Sequence, residues 1–192
     1  MDNSVQQSEQ PPHCIIPIHK PTLREYAFFF TSGVVVSIPF ALFFESLVPS
    51  AASGLILTVV LAPFIEELAK VFPLFYRHGE TERSIVTLGL LTGLGFGIAE
   101  FVEYVVLNNV PPVFRLPGII FHASSATIAA YGITKKNPLP YYLLAVLLHF
   151  ANNLFAVSGD LFSYFGDLLV LITAYGLAWR FWQRSRKDVI VV

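Results

Sequence analysis

The sequence predicts an all-α fold, a polytopic membrane bundle of about six transmembrane helices with both termini cytoplasmic. Three observations predict it. Of 192 residues, 55% are hydrophobic and 13% charged, against about 25% charge in average soluble domains, and the mean hydropathy is +0.64. Six apolar stretches reach the roughly 20 residues that a helix needs to cross a hydrocarbon core about 30 Å thick. Basic residues gather on one side of those stretches. The 18 Phe and 8 Tyr exclude a disordered chain, which lacks the means for such burial. A net charge of -1, with no nucleic-acid-binding motif, excludes a nucleic-acid partner. The lone Cys14 can close no internal disulfide, so helix packing must hold the fold.

In chain order, residues 1–22 are polar and carry Pro11, Pro12, Pro17 and Pro21. They lack the charged-then-apolar start of a signal peptide and read as a cytoplasmic tail. His13 and Cys14 within it have no further ligands at a suitable spacing, so they make a poor metal site. Residues 23–187 form one membrane domain with spans at 26–48, 51–76, 84–107, 113–132, 139–157 and 161–182. Pro49 and the polar stretches 77–83, 108–112, 134–140 and 158–160 separate them, as turn chemistry requires. Residues 188–192 are a short C-terminal tail.

Orientation follows because Lys and Arg in short loops stay on the cytoplasmic side. Ten of the twelve basic residues fall on one face: Lys20, Arg24, Arg77, Arg83, Lys135, Lys136, Arg180, Arg184, Arg186 and Lys187. Arg115 lies on the other face and Lys70 inside a span. Tyr141, Tyr142, Trp179 and Trp182 fit an aromatic belt at the same interface. The two halves show no convincing internal repeat.

The functional signal is what interrupts the apolar runs: Glu66, Glu67 and Lys70 in span two, Glu100 and Glu103 in three, His122 in four, His149, Asn152 and Asn153 in five. A charge at the bilayer centre costs roughly 2.5 to 3.5 kcal/mol, so these groups must face inward or water. Helical geometry agrees. Gly89, Gly93 and Gly97 form a small ridge, and Glu100 falls about 20° from Gly89, so it should enter a helix interface. Gly118, His122, Ser125, Ala126 and Ala129 share one face, as do Tyr142, Ala145, His149 and Asn153, with Asn152 about 60° away. Glu66 and Lys70 stand at the ion-pair spacing i, i+4, whereas Glu67 is rotated by about 100°. Pro63 removes a backbone donor and clashes one turn back, so the helix should bend near the carboxylates, leaving carbonyls that need a polar cavity.

Paired glutamates, a third carboxylate and two histidines in a desolvated setting suit hydrolysis: a base for water and groups to stabilise an oxyanion. They also suit zinc, since two histidines and a carboxylate make a catalytic set with one position open for water. Glu100 is the carboxylate expected beside His122 and His149. There is no HExxH, so spacing leaves the metal open.

Four motifs occur in order: EExxK at Glu66 to Lys70, FxxxE at Phe96 to Glu100, a histidine opening a small-residue span at His122, and HxxxN at His149 to Asn153. In these the chain resembles the PrsW family of intramembrane proteases, relatives of the CAAX-prenyl endopeptidases, over about half its length. Glu100 stands where the prenyl endopeptidases usually have histidine, which favours the PrsW side. The resemblance implies an intramembrane endopeptidase of the cell membrane acting on a membrane-anchored protein, an anti-sigma-type regulator among PrsW relatives. It implies that Glu66 activates the attacking water and Glu67 supports or ligates. His122 and His149 would bind metal or the oxyanion, and Glu100 and Asn153 would complete the site. A metal-free glutamate mechanism, proposed for the prenyl-processing branch, remains the alternative to zinc.

Other residues read more plainly. Lys70 is a counter-ion, and Glu103 and Asn152 are supports. Glu45 and Asp167 read as snorkelling acids near span ends. Buried carboxylates and histidines also build proton relays, so a proton-coupled transporter or channel is the rival, although the paired halves of many transporters are missing. A non-catalytic scaffold derived from a protease is a third reading, and the intact motifs count against it.

Overall fold

The computed structural model describes residues 18–47, 54–76, 80–158 and 161–191. The His13 and Cys14 pair, most of the expected N-terminal tail, Pro49 and the side chain of Glu45 lie outside the described residues. The chain is helical almost throughout: α1 (Leu23–Ser32), α2 (Ile38–Ser46), α3 (Gly54–Ile56), α4 (Ala62–Val71), α5 (Glu82–Val102), α6 (Pro112–Thr134), α7 (Pro138–Ser158) and α8 (Leu161–Arg184). Among the described residues the paired strands are β1 (Glu80–Thr81) and β2 (Ile190–Val191), antiparallel with Thr81 opposite Ile190. The last residues, expected as a tail, thus fold back on the start of α5.

Four segments are long and apolar enough to cross a membrane: Leu23–Phe44, Glu82–Leu107, Pro112–Thr134 and Pro138–Ser158. The two remaining helical segments each carry three charged residues, Glu66, Glu67 and Lys70 in residues 54–76 and Asp167, Arg180 and Arg184 in α8. The distribution of polarity is the inverse of a water-soluble domain. Glu67, Lys70, Thr92, His122, Ser125 and His149 are buried, while Phe165, Leu169 and Ile172 point outward from α8 and Leu147 from α7. Such a chain is at home in a bilayer, where apolar surface needs no cover.

The helix pair α5 and α6 forms the centre. A Cβ added at Gly93 would run into the His122 carbonyl oxygen and lie 2.6 Å from Ala126 Cβ; one at Gly97 would lie 2.9 Å from Ile119 Cα. The glycine ridge read from the sequence is therefore the seam along which the two backbones meet. Gly95, on another face of α5, makes a second seam with α1, because a Cβ there would collide with the Phe30 carbonyl oxygen. Helix α1 and the π-helical segment Gly33–Ser37 flank α5, α2 packs on α4, α7 and α8 flank α6, and α4 lies among α5, α6 and α7.

Two prolines shape the entry to this core. Pro39 and Pro63 each follow a π-helical segment, Gly33–Ser37 and Leu57–Leu61, by two residues. Proline has no N–H and crowds the carbonyl one turn back, and a widened turn accommodates it. At Pro63 the Ala62 N–H reaches back to the Leu57 carbonyl. The Thr58 carbonyl thereby loses its usual helical donor, and Asn153 Nδ2 on α7 donates to it at 2.9 Å. The helix accommodates Pro63 through a π turn, and the polar partner of the freed carbonyl comes from the HxxxN motif.

Candidate functional site

Adjacent residues on a helix diverge by about 100°, so Glu66 and Glu67 reach different surroundings from neighbouring positions on α4. Glu67 is fully buried where α4, α6 and α7 meet. Its Oε1 accepts hydrogen bonds from Lys70 Nζ at 2.7 Å, His149 Nδ1 at 2.8 Å and Ser125 Oγ at 3.0 Å. Glu66 retains some exposure and approaches the far side of the same imidazole. Its Oε2 lies 3.8 Å from His149 Nε2. The i, i+4 ion pair expected between Glu66 and Lys70 is correspondingly long at 4.0 Å. Lys70 is itself fully buried, with Nζ 4.6 Å from the centre of the Phe96 ring, and closes on Glu67 instead.

Glu100 leaves α5 on its α6 side, as the ridge implied. Oε2 makes a short hydrogen bond with His122 Nε2, and Oε1 accepts from Arg115 at 3.0 Å. Arg115 in turn lies over the Tyr104 ring, 3.5 Å from its centre. The His122 and His149 rings stand edge-on, 5.3 Å apart at 78°. Phe121 packs against both and Phe96 against His122, which fixes the rings and keeps their surroundings apolar.

The two histidines share one wiring. An ionised carboxylate only accepts, so the nitrogen that faces it carries the proton and the opposite nitrogen keeps a lone pair. For His149 the carboxylate is Glu67, leaving Nε2 turned to Glu66; for His122 it is Glu100, leaving Nδ1 buried with no hydrogen-bond partner among the described residues. Carboxylates that orient metal-ligating histidines in this manner recur in metalloenzymes. Ligand atoms of Glu66, His122 and His149 all lie within 4.8 Å of one another. Atoms so spaced share a centre within about 3 Å of each, and a shift of about 1 Å would bring them to the roughly 2 Å of a zinc bond. The donor set thus suits a borderline ion such as zinc. The converging carboxylate is Glu66, and Glu100, expected as the ligand, is occupied instead by Arg115 and His122.

Cavities meet at Glu100. The largest of those it lines, about 320 Å³, runs between the π turn before α4 and the end of α7, with Thr58, Ala62, Glu66, Tyr104, Arg115, Asn153 and Val157 in its walls. A second, about 100 Å³, holds Glu103 with Glu66, Phe96 and Tyr104. A third, about 60 Å³, is walled by α6, α7 and α8 and includes His122, Asn152, Asn153, Arg115 and Asp167. Asn152 Nδ2 donates to Asn153 Oδ1 at 3.3 Å, so these two amides form the rim and stand apart from the acid and imidazole contacts.

Glu66, Glu67, Lys70, Glu100, His122 and His149 are thus brought together, with Asn152, Asn153 and Glu103 around them. Ser125, Arg115, Tyr104 and Asp167 complete the setting and carry no motif of their own. Ser125 shares the small face of α6 with His122, and that face was the available signal for it. Arg115 is the sole basic residue assigned to the far side of the spans, a singularity that marks it in retrospect. Set against family models, curated proteins and solved structures, the chain matches none.

Proposed function

We propose that this protein is an intramembrane endopeptidase that hydrolyses a peptide bond of a membrane-anchored protein. The observation that carries the reading is the approach of Glu66 to two histidines, each held from behind by a second carboxylate. Six crossings by residues 23–46, 54–76, 82–107, 112–134, 138–158 and 161–184, with both termini cytoplasmic, would set this cluster within the hydrocarbon layer. The resemblance to PrsW proteases in EExxK, FxxxE, His122 and HxxxN supports the same reading.

In this mechanism a water lies between Glu66, His122 and His149. Glu66 accepts its proton as the water attacks the scissile carbonyl and returns the proton to the leaving amine. In the alternative with zinc, Glu66, His122 and His149 would hold the ion, which would supply a Lewis acid that lowers the pKa of bound water toward 7, and Glu66 would then be a ligand in place of the base. Glu67 and Glu100 hold the imidazoles, and Lys70 and Arg115 offset their charge. Asn153 fixes the π turn against α7, which shapes the 320 Å³ cavity where an extended substrate segment would lie.

The test is reconstitution in lipid with a single-pass membrane substrate, comparing wild type with Glu66→Ala and His149→Ala. Cleavage by wild type alone supports the proposal. Equal cleavage by both variants would remove these residues from the chemistry, and proton flux without cleavage would favour a relay.

A further inference from the structure

Two of the described side chains that line the 60 Å³ chamber hold a buried polar atom with no hydrogen-bond partner among the described residues, His122 at Nδ1 and Asp167 at Oδ1. His122 is 4% exposed. Asp167 is an acid about two turns into α8, and in a segment proposed to cross a membrane such a group is costly and marks function by default. It faces Glu100, Arg115, His122, Asn152 and Asn153 across the chamber. Buried polar atoms without protein partners are satisfied by ordered water where the site is polar and has room. A water needs about 10 to 15 Å³ by this measure, so the chamber has room for about four.

We propose that the chamber between α6, α7 and α8 is a water-holding branch of the site, with Asp167 as its positioning residue. Water held there hydrogen-bonds Asp167 and the Asn152 and Asn153 amides and borders His122 and Glu100. It supplies solvent to a hydrolytic centre whose other surroundings, Phe96 and Phe121, are apolar. The larger cavity on the Glu66 side is left to the substrate. The use made of the water rests on the protease reading; its presence does not. Asp167 touches no reacting atom and acts by fixing the waters.

Radiolytic hydroxyl labelling of the full chain in lipid nanodiscs tests this, because radicals generated from a trapped water oxidise the side chains beside it. Leu171 lines the chamber, and its neighbour Ile172 is 59% exposed on the outer face of α8. With water in the chamber and lipid outside, Leu171 is oxidised faster than Ile172, by about fivefold or more. Asp167→Leu brings the Leu171 rate down to that of Ile172, and Asp167→Asn, which keeps the hydrogen-bonding capacity, preserves most of it. Leu171 labelling no faster than Ile172 in wild type, or unchanged in Asp167→Leu, overturns the proposal. A labelled Leu171 in a protein that cleaves nothing leaves the chamber intact and removes the protease reading; cleavage with an unlabelled Leu171 does the reverse.

Discussion

Two ionic clusters lie in this molecule, one at the end of the bundle and one inside it, and they are built on opposite principles. At the end, Glu82 Oε1 accepts from Lys135 Nζ at 2.6 Å and Oε2 from the Arg186 N–H at 2.9 Å. Arg83 bonds the Ser185 hydroxyl and carbonyl and lies over Trp182. Each acceptor oxygen of Glu82 has its donor, and the result ties the start of α5 to the segment after α8. Inside, partners are shared unevenly. Glu67 Oε1 takes three donors while Oε2 has none among the described residues, and His122 Nδ1 is left without one. Balanced charge reads as structure; the imbalance leaves buried polar atoms that a bound group other than the protein can satisfy.

The contrast can be broken by removing single groups. Glu66→Gln should lower cleavage about 10³-fold, within the span of 10² to 10⁴ for a lost general base, with little change in the thermal midpoint of unfolding in detergent. A comparable loss of stability would make Glu66 a structural residue. Lys70→Met leaves Glu67 buried without its cation and should cost about 3 to 5 kcal/mol in unfolding free energy. Adding Glu67→Gln to it should recover a good part of that cost, and a double variant as unstable as the single one would show that the pair is not what matters.

Smaller effects sharpen the same comparison. Gly93→Ala forces a methyl against the His122 carbonyl and Ala126, an overpacking cost of about 1 to 3 kcal/mol. Because it also displaces His122, cleavage should fall along with the midpoint; an unchanged midpoint would mean that α5 and α6 are not closely apposed there. At the end cluster, Lys135→Met should cost no more than about 1 kcal/mol, since the lysine is partly exposed and such pairs are weak. The Glu82 hydrogen bond holds the Lys135 ammonium above its ordinary pKa. Whatever stability it gives is therefore full at neutral pH, where Lys135→Met should be compared with wild type, and is lost only as pH rises past the usual lysine value toward the raised one. A larger loss in Lys135→Met than in Lys70→Met would reverse the ranking of the two clusters.

Much of the fold is legible in the sequence because apolar length and breakers dictate helices, and because glycines four apart can serve only one face. Gly89, Gly93 and Gly97 announce the α5 to α6 seam, and with it the direction of Glu100. Pairing across helices is less legible. Lys70 can reach Glu66 or Glu67 by spacing alone, and the choice is made by burial beside Phe96. Which carboxylate joins the histidines depends on how α4 sits against α7, a tertiary fact, so Glu66 rather than Glu100 converges on them. Arg115 reads as a loop charge until Glu100 is placed opposite it. Asp167 reads as a snorkelling acid until the chamber shows which way it points.

The central claim is that Glu66, His122 and His149, from three helices, serve one hydrolytic centre that zinc completes. Metal analysis of the purified protein beside Glu66→Gln, His122→Ala and His149→Ala tests it most directly. About one equivalent of zinc is expected in wild type and markedly less in each variant, with helical content retained. A wild type without zinc whose cleavage survives chelators, or equal zinc in all four proteins, would contradict it.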